Sequence, residues 1–183
     1  MAHGHGHHDD HGGNKKVALL ISVLALVLAF SETLGKSAQT AAIAMNIEAS
    51  NLWAFFQAKT IRQTVLRTAA EETAVLKSDE SSRKQVEKWL DTAKRYQSEP
   101  ETNEGRDQLA ARAKAAEKKR DRSMDAYHNF ESAAAAAQIA IVMASAAIIA
   151  EMAVLVWIAA ALGVVGIAFC VLGLFFPFAL HFF

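Results

Sequence analysis

Charged and apolar positions divide this chain into long blocks. Residues 17–34 read VALLISVLALVLAFSETL, with Glu32 as the only charge and Lys15 and Lys16 just before. Residues 133–183 carry a single charge, Glu151. An α-helix rises about 1.5 Å per residue, so 18 residues cover roughly 27 Å, close to the ~30 Å hydrocarbon core of a bilayer. The pattern therefore predicts a membrane-spanning helix over 17–34. A cleaved signal peptide is the competing reading. The run is long for one, and no small-x-small cleavage site follows it cleanly. Residues 133–183 would make a helix of about 75 Å, more than twice a bilayer core. The chain is expected to turn at Glu151, giving spans over 133–150 and 152–176. Ile149-Ala150-Glu151-Met152 has no Gly, Pro or Asn to make that turn. Pro177 ends the last span, leaving a short aromatic tail over 177–183.

Between these blocks, residues 35–132 are rich in Ala, Glu, Lys, Gln and Arg, which favour helix. Polar Lys77-Ser78-Asp79-Glu80-Ser81-Ser82 carries helix-start signals, which places a hairpin tip near 77–82. The outgoing helix, 36–76, is then about 62 Å long, and return helices over 83–97 and 106–132 sum to about 63 Å. This match makes 98–105, with Pro100 and Gly105, a loop that interrupts the return. Near-heptad positions on the outgoing side are Ile43, Ile47, Ala54, Ile61 and Val65, and on the return Val86, Leu90, Ala93 and Gln97. Ala54 is expected opposite Ala113. Trp53 and Phe56 share a helix face and Phe55 points elsewhere. Glu80 with Lys84 and Asp91 with Arg95 form i,i+4 pairs on a solvated face. The expected fold is all-α: a three-span transmembrane protein with a long antiparallel helical-hairpin, or coiled-coil, soluble arm.

Composition changes this picture little. The 19 basic and 19 acidic residues cancel, but 25 of these 38 lie in 77–132. A neutral chain has no overall pull on nucleic acid, and no basic patch interleaves the aromatic rings. The lone Cys170 makes no intramolecular disulfide and reads as a small hydrophobe.

Two features carry candidate chemistry. Residues 1–16 form a flexible tail in which His3, His5, His7, His8 and His11 are candidate ligands for Zn, Ni or Cu. The plainer reading, preferred here, is a weakly chelating tail with no resident cofactor. In the last span, Ala159, Gly163, Gly166, Cys170 and Gly173 fall on one helix face at spacings of 4 and 3. Small residues let helices approach closely in lipid. The face suits a tight intrachain hairpin, against Ala133, Ala136, Ala140 and Ala147, better than a homo-oligomeric ring. Phosphate-binding glycine loops, HExxH and GxSxG are absent from the sequence, and the expectation is no enzyme.

Three segments, NLWAFFQAKTIRQ (51–63), YQSEPETNEGRDQLAARAKAAE (96–117) and FESAAAAAQIAIVMASAAI (130–148), resemble a bacterial membrane-protein family catalogued only as a domain of unknown function. With the first span, the resemblance covers about 17–176. It implies a three-span, multi-pass protein of the bacterial inner membrane with a helical arm, and it supplies no activity or catalytic residue. The expected role is a membrane-anchored coiled-coil structural or interaction protein. The alternative is a metal-linked transport accessory, or a small oligomeric channel, using the histidine tail. Lys15 and Lys16 favour a cytoplasmic N-terminus and hence an external arm, although Lys118, Lys119, Arg120 and Arg122 pull the other way.

Overall fold

The computed structural model describes residues 10–77 and 79–179, with side chains from residue 15 onward. Four α-helices follow in order: α1 (Asp10–Leu76), α2 (Glu80–Gln97), α3 (Arg106–Ala150) and α4 (Ala153–Phe175). A 3₁₀ turn at Pro177–Ala179 closes the chain, and no strand occurs among the described residues. The first expected span and the outgoing arm are one helix, unbroken at Gly35, and α1 begins inside the segment read as a tail. Likewise 106–132 and 133–150 are one helix, α3. The chain divides into two compact units, one of Met1–Ala41 with Arg122–Phe183 and one of Ala42–Asp121. We call them the apolar unit and the charged unit.

In the apolar unit α1, α3 and α4 pack on a core of Leu24, Ala140, Ala144 and Ala159. α1 and α4 run in the same direction, since a Cβ built on Gly163 would meet Leu24 and Ser31 Oγ lies 2.9 Å from Cys170 Sγ. α3 runs against α4, because Gly166 faces Ala133 and Ala136 while Gly173 faces the Phe130 ring. The small-residue face of the last span is therefore filled by this chain's own helices. Ala159, Gly163, Gly166 and Gly173 are buried, and Cys170 is half-buried. Ala133, Ala136, Ala140 and Ala147 on α3 are buried with them.

The turn between α3 and α4 needs no glycine because Glu151 itself takes the left-handed conformation, with φ 53°. A non-glycine residue there costs on the order of 1 kcal/mol. The α4 start at Met152 has no side-chain cap, while buried Asn129 donates to the Pro177 carbonyl at 3.3 Å near the other end.

In the charged unit α1 pairs with α2 and α3. Contacts run in opposite chain order: Arg120 donates to Asn46 at 3.4 Å, Trp53 to Glu117 at 2.8 Å, and Arg106 to Gln63. The positions of α1 that turn inward repeat every seven residues in two series. Ala42, Ala49, Phe56, Gln63 and Ala70 form one, and Met45, Leu52, Lys59, Leu66 and Thr73 the other; each is buried or half-buried. This is not the seam the larger apolar residues suggested. Ile43, Ile47, Ile61 and Val65 all face outward, and so does Ala54. Ala113, fully buried, packs instead with Leu52 and Leu109, so the expected Ala54–Ala113 register is wrong. The inner positions mix small residues (Ala42, Ala49, Ala70) with larger ones (Met45, Leu52, Phe56, Leu66), so size alone does not mark the seam. On the return side Ala93 is buried, Val86 and Gln97 are half-buried and Leu90 is exposed.

Local signals position the connections. The Asp79 carboxylate accepts from Ser82 N at 3.1 Å and from Ser82 Oγ at 2.7 Å, which caps α2. Those hydrogen bonds hold its pKa below the usual carboxylate value. Gly105, before α3, is buried, and a Cβ there would stand 2.8 Å from Ser98 Cα with the Glu99 backbone closer still. That loop backbone is pinned by Gln108, which accepts from Glu99 N at 3.3 Å and donates to Ser98 Oγ at 3.1 Å. Gly105→Ala is expected to lower the stability of the charged unit by about 2 kcal/mol, through overpacking against backbone that cannot rotate away. Thermal melting followed by circular dichroism checks this; an unchanged midpoint would mean that the loop gives way.

Candidate functional site

The densest polar constellation lies inside the charged unit, on the inner face of α1. Lys59 occupies a seam position and is only 4% exposed. A lysine is rarely buried this far without partners. Its Nζ lies 3.5 Å from Glu99 Oε2 and 4.0 Å from Glu104 Oε2. It also stands over the Phe55 ring, 5.2 Å from the centroid, and the Tyr96 ring at 5.7 Å. These π-faces attract a cation and partly replace lost water.

One turn further on, Gln63 is buried and ties three segments together. Its Nε2 donates to the Ala93 carbonyl at 3.0 Å and to Gln97 Oε1 at 3.3 Å, while its Oε1 accepts from Arg106 Nη1. Arg106 Nη1 also donates to Gln97 Oε1 at 3.0 Å, and its guanidinium stacks over Phe56, 4.9 Å from the centroid. Gln97 completes the chain by donating to Asp107 at 2.8 Å. Arg106 Nε is buried with no hydrogen-bond partner among the described residues. Glu99 is held from two sides, since Arg95 donates to its other oxygen at 2.8 Å. The Arg95 hydrogen bond is the main cause of a Glu99 pKa below the ordinary carboxylate value. The same contact raises that of Arg95.

Below this network the aromatic residues close the core. Trp53 and Phe56 meet edge to face, 5.4 Å between centroids, beside Leu52, Leu109 and Ala113. Phe55 also packs on this cluster, against the return helix α3. Two of the segments singled out in the sequence, 51–63 and 96–117, thus meet at one place: Trp53 with Glu117, Lys59 with Glu99, Gln63 with Arg106. The arrangement is a closed clamp. Each cation meets a carboxylate, an amide oxygen or a ring face, while Arg106 Nε is left without a hydrogen-bond partner among the described residues.

Elsewhere the charge pattern is plainer. Glu80 and Lys84 pair at 2.8 Å in solvent. Asp91 pairs with Lys94 at 3.4 Å rather than with Arg95, which is drawn to Glu99 instead. His128 lies 3.8 Å from Glu131 on one helix turn. His3, His5, His7 and His8 fall outside the described residues, and the side chain of His11 is not among those described. Among the described residues no group of three or more His, Cys, Asp or Glu side chains is placed to hold a metal ion.

Lys59 and Gln63 carry no sequence signal as isolated residues. Their signal is positional: they continue a series of small and apolar residues at heptad spacing, so a polar residue in that series has to be satisfied inside.

The fold defines an all-α protein with three helices long and apolar enough to cross a membrane: Lys15–Leu76, Arg106–Ala150 and Ala153–Phe175. A family model described as "Domain of unknown function (DUF4337)" matches residues 13–176, and the chain belongs to that family. No curated protein matches the chain, and no solved structure does.

Proposed function

We propose that this protein is a membrane-anchored helical scaffold whose charged unit is an antiparallel coiled-coil interaction arm. The observation that carries the reading is the agreement of three charge-free windows within one packed unit. α1 has no charge between Lys16 and Glu32, α3 none from Ser132 to Ala150, and α4 none at all. At roughly 22, 28 and 34 Å they bracket the ~30 Å thickness of a bilayer core. Outward positions in those windows are large and apolar, among them Leu19, Leu26, Phe30, Val142 and Val164. In water such a surface is an aggregation liability, whereas in lipid it is the required solvent contact. Glu151 and Lys15 with Lys16 mark one rim, and Glu32 and Glu131 the other.

The charged unit contributes a polar surface and an internal clamp, which suits docking rather than catalysis. The inner membrane of a bacterium is the compartment that the family resemblance favours. Lys15 and Lys16 before the first window put the N-terminus in the cytoplasm and the arm outside.

The test uses the full chain with Cys170→Ala and Glu101→Cys on the exposed loop. Resistance to alkaline carbonate extraction, with labelling by an impermeant maleimide in whole cells, is the expected result. Release into the carbonate supernatant overturns membrane anchoring. Labelling only after lysis reverses the orientation.

A further inference from the structure

We propose that the outward strip of α1 in the charged unit is an interface to a second copy of this chain, with the two α1 helices packed parallel. The inward face of α1 is already filled by α2 and α3. On the opposite face a second series recurs at spacings of 4 and 3: Ile47, Asn51, Ala54, Ala58, Ile61 and Val65. Ile47 is 56% exposed, Ile61 65% and Val65 60%. No residue of the strip is charged, although the segment has charges elsewhere. Branched apolar residues exposed at coiled-coil spacing mark a helix-binding face.

Three arguments make the occupant a second copy. The first is exposure: Ile47, Ile61 and Val65 are each more than half exposed on one face, so pairing two strips removes a continuous apolar surface from water. The second is charge. Glu48 and Arg62 flank the strip on one side, and in a parallel pair they meet the partner's uncharged Ile43 and Gln57, so no like charges face each other. A strip with no charges also has nothing to select a charged partner. The third is Asn51. A single Asn at the inner position of a helix pair favours two strands in fixed register, because each amide hydrogen-bonds to its counterpart. In a parallel pair Asn51 meets Asn51, whereas in an antiparallel one it meets an isoleucine. The parallel direction rests on the proposed membrane anchoring, since two copies inserted the same way present α1 in the same sense.

The experiment uses full-length Cys170→Ala protein in membranes, with single cysteines at Ile47, Ala54, Ile61 or, as an off-strip control, Arg67. Copper-phenanthroline oxidation is expected to give disulfide-linked dimers with Ile47→Cys, Ala54→Cys and Ile61→Cys, at least five-fold more than with Arg67→Cys. Native mass spectrometry in mild detergent is expected to show a dimer that Ile47→Lys/Ile61→Lys converts to monomer at unchanged helicity. Equal cross-linking at Arg67, or none at the strip, overturns the interface. Cross-linking of Ile47→Cys to Ile61→Cys in mixed samples, with neither linking to itself, overturns the parallel arrangement. Carbonate extraction is a separate readout, so failure of the dimer and failure of membrane anchoring remain distinguishable.

Discussion

Lys59→Ala is expected to destabilise the charged unit by about 3 kcal/mol, through loss of the packed stem together with one side of its ion pair with Glu99. Lys59 crosses the seam between α1 and the loop before α3. Its stem fills space between Phe55 and Tyr96, and its ammonium lies 3.5 Å from Glu99. Truncation removes the packing of the stem along with the charge. Lys59→Met separates the two. Methionine keeps an unbranched stem of similar length, and the remaining Arg95 contact still neutralises Glu99, so its cost is expected near 1 kcal/mol. Thermal or urea unfolding of the three proteins, followed by circular dichroism in detergent, measures the difference. If Met destabilises as much as Ala, the ammonium rather than the stem holds the clamp. If neither moves the midpoint, the clamp contributes nothing to stability.

The second large effect is expected in the apolar unit. Gly166→Leu should separate α4 from α3 and lower stability by 3 kcal/mol or more, roughly the upper range for overpacking. A Cβ on Gly166 would already lie 3.2 Å from the Ala133 carbonyl oxygen, and backbone cannot rotate aside. Gly173 is similarly confined, with its Cβ 2.9 Å from the Phe130 ring. Gly163 differs in kind. Its Cβ would meet Leu24 Cδ2 at 2.6 Å, the far end of a side chain that has other rotamers. The expected order of damage is therefore Gly166→Leu, then Gly173→Ala, then Gly163→Ala. Melting temperatures in a single detergent rank them; Gly163→Ala as the most damaging would show that Leu24 cannot move.

Much of the helical plan was legible in the sequence, for identifiable reasons. Asp79 before Glu80 is a capping signal, and the polar tip it lies in is where α1 gives way to α2. Gly105 and Pro100 punctuate the loop before α3. Glu151 stood out as the only charge in its run, and the chain turns there. Long windows without charge need only counting. Illegible was the continuity of α1 and α3: apolar and charged segments look like separate elements, but no proline stands at either junction and a single Gly35 is tolerated within a long helix, so the helices run on.

The candidate site was harder to read. Aromatic Trp53, Phe55 and Phe56 were visible as a cluster, but not the burial of Lys59 or Gln63. Taken alone, each is an ordinary surface residue, and only the carboxylate, the carbonyl and the rings supplied by α2, α3 and their loop make burial tolerable. The larger error concerned the seam. Isoleucines at 43, 47 and 61 read as a seam because they are strongly hydrophobic, whereas the inner series mixes alanine with Leu52, Phe56, Lys59 and Gln63.

By itself, then, the sequence determined which segments are helical, where charge is absent and where the chain turns, because these follow from local propensity and from block composition. Which face of α1 turns inward was decided only by the tertiary structure. Two strips of comparable periodicity lie on opposite sides of that helix, and periodicity cannot rank them. The choice was made by the partners: Leu109 and Ala113 of α3 pack on Leu52, and Lys59 and Gln63 find polar partners on α2, α3 and the loop between them. Ile43, Ile47, Ile61 and Val65 are left on the outside.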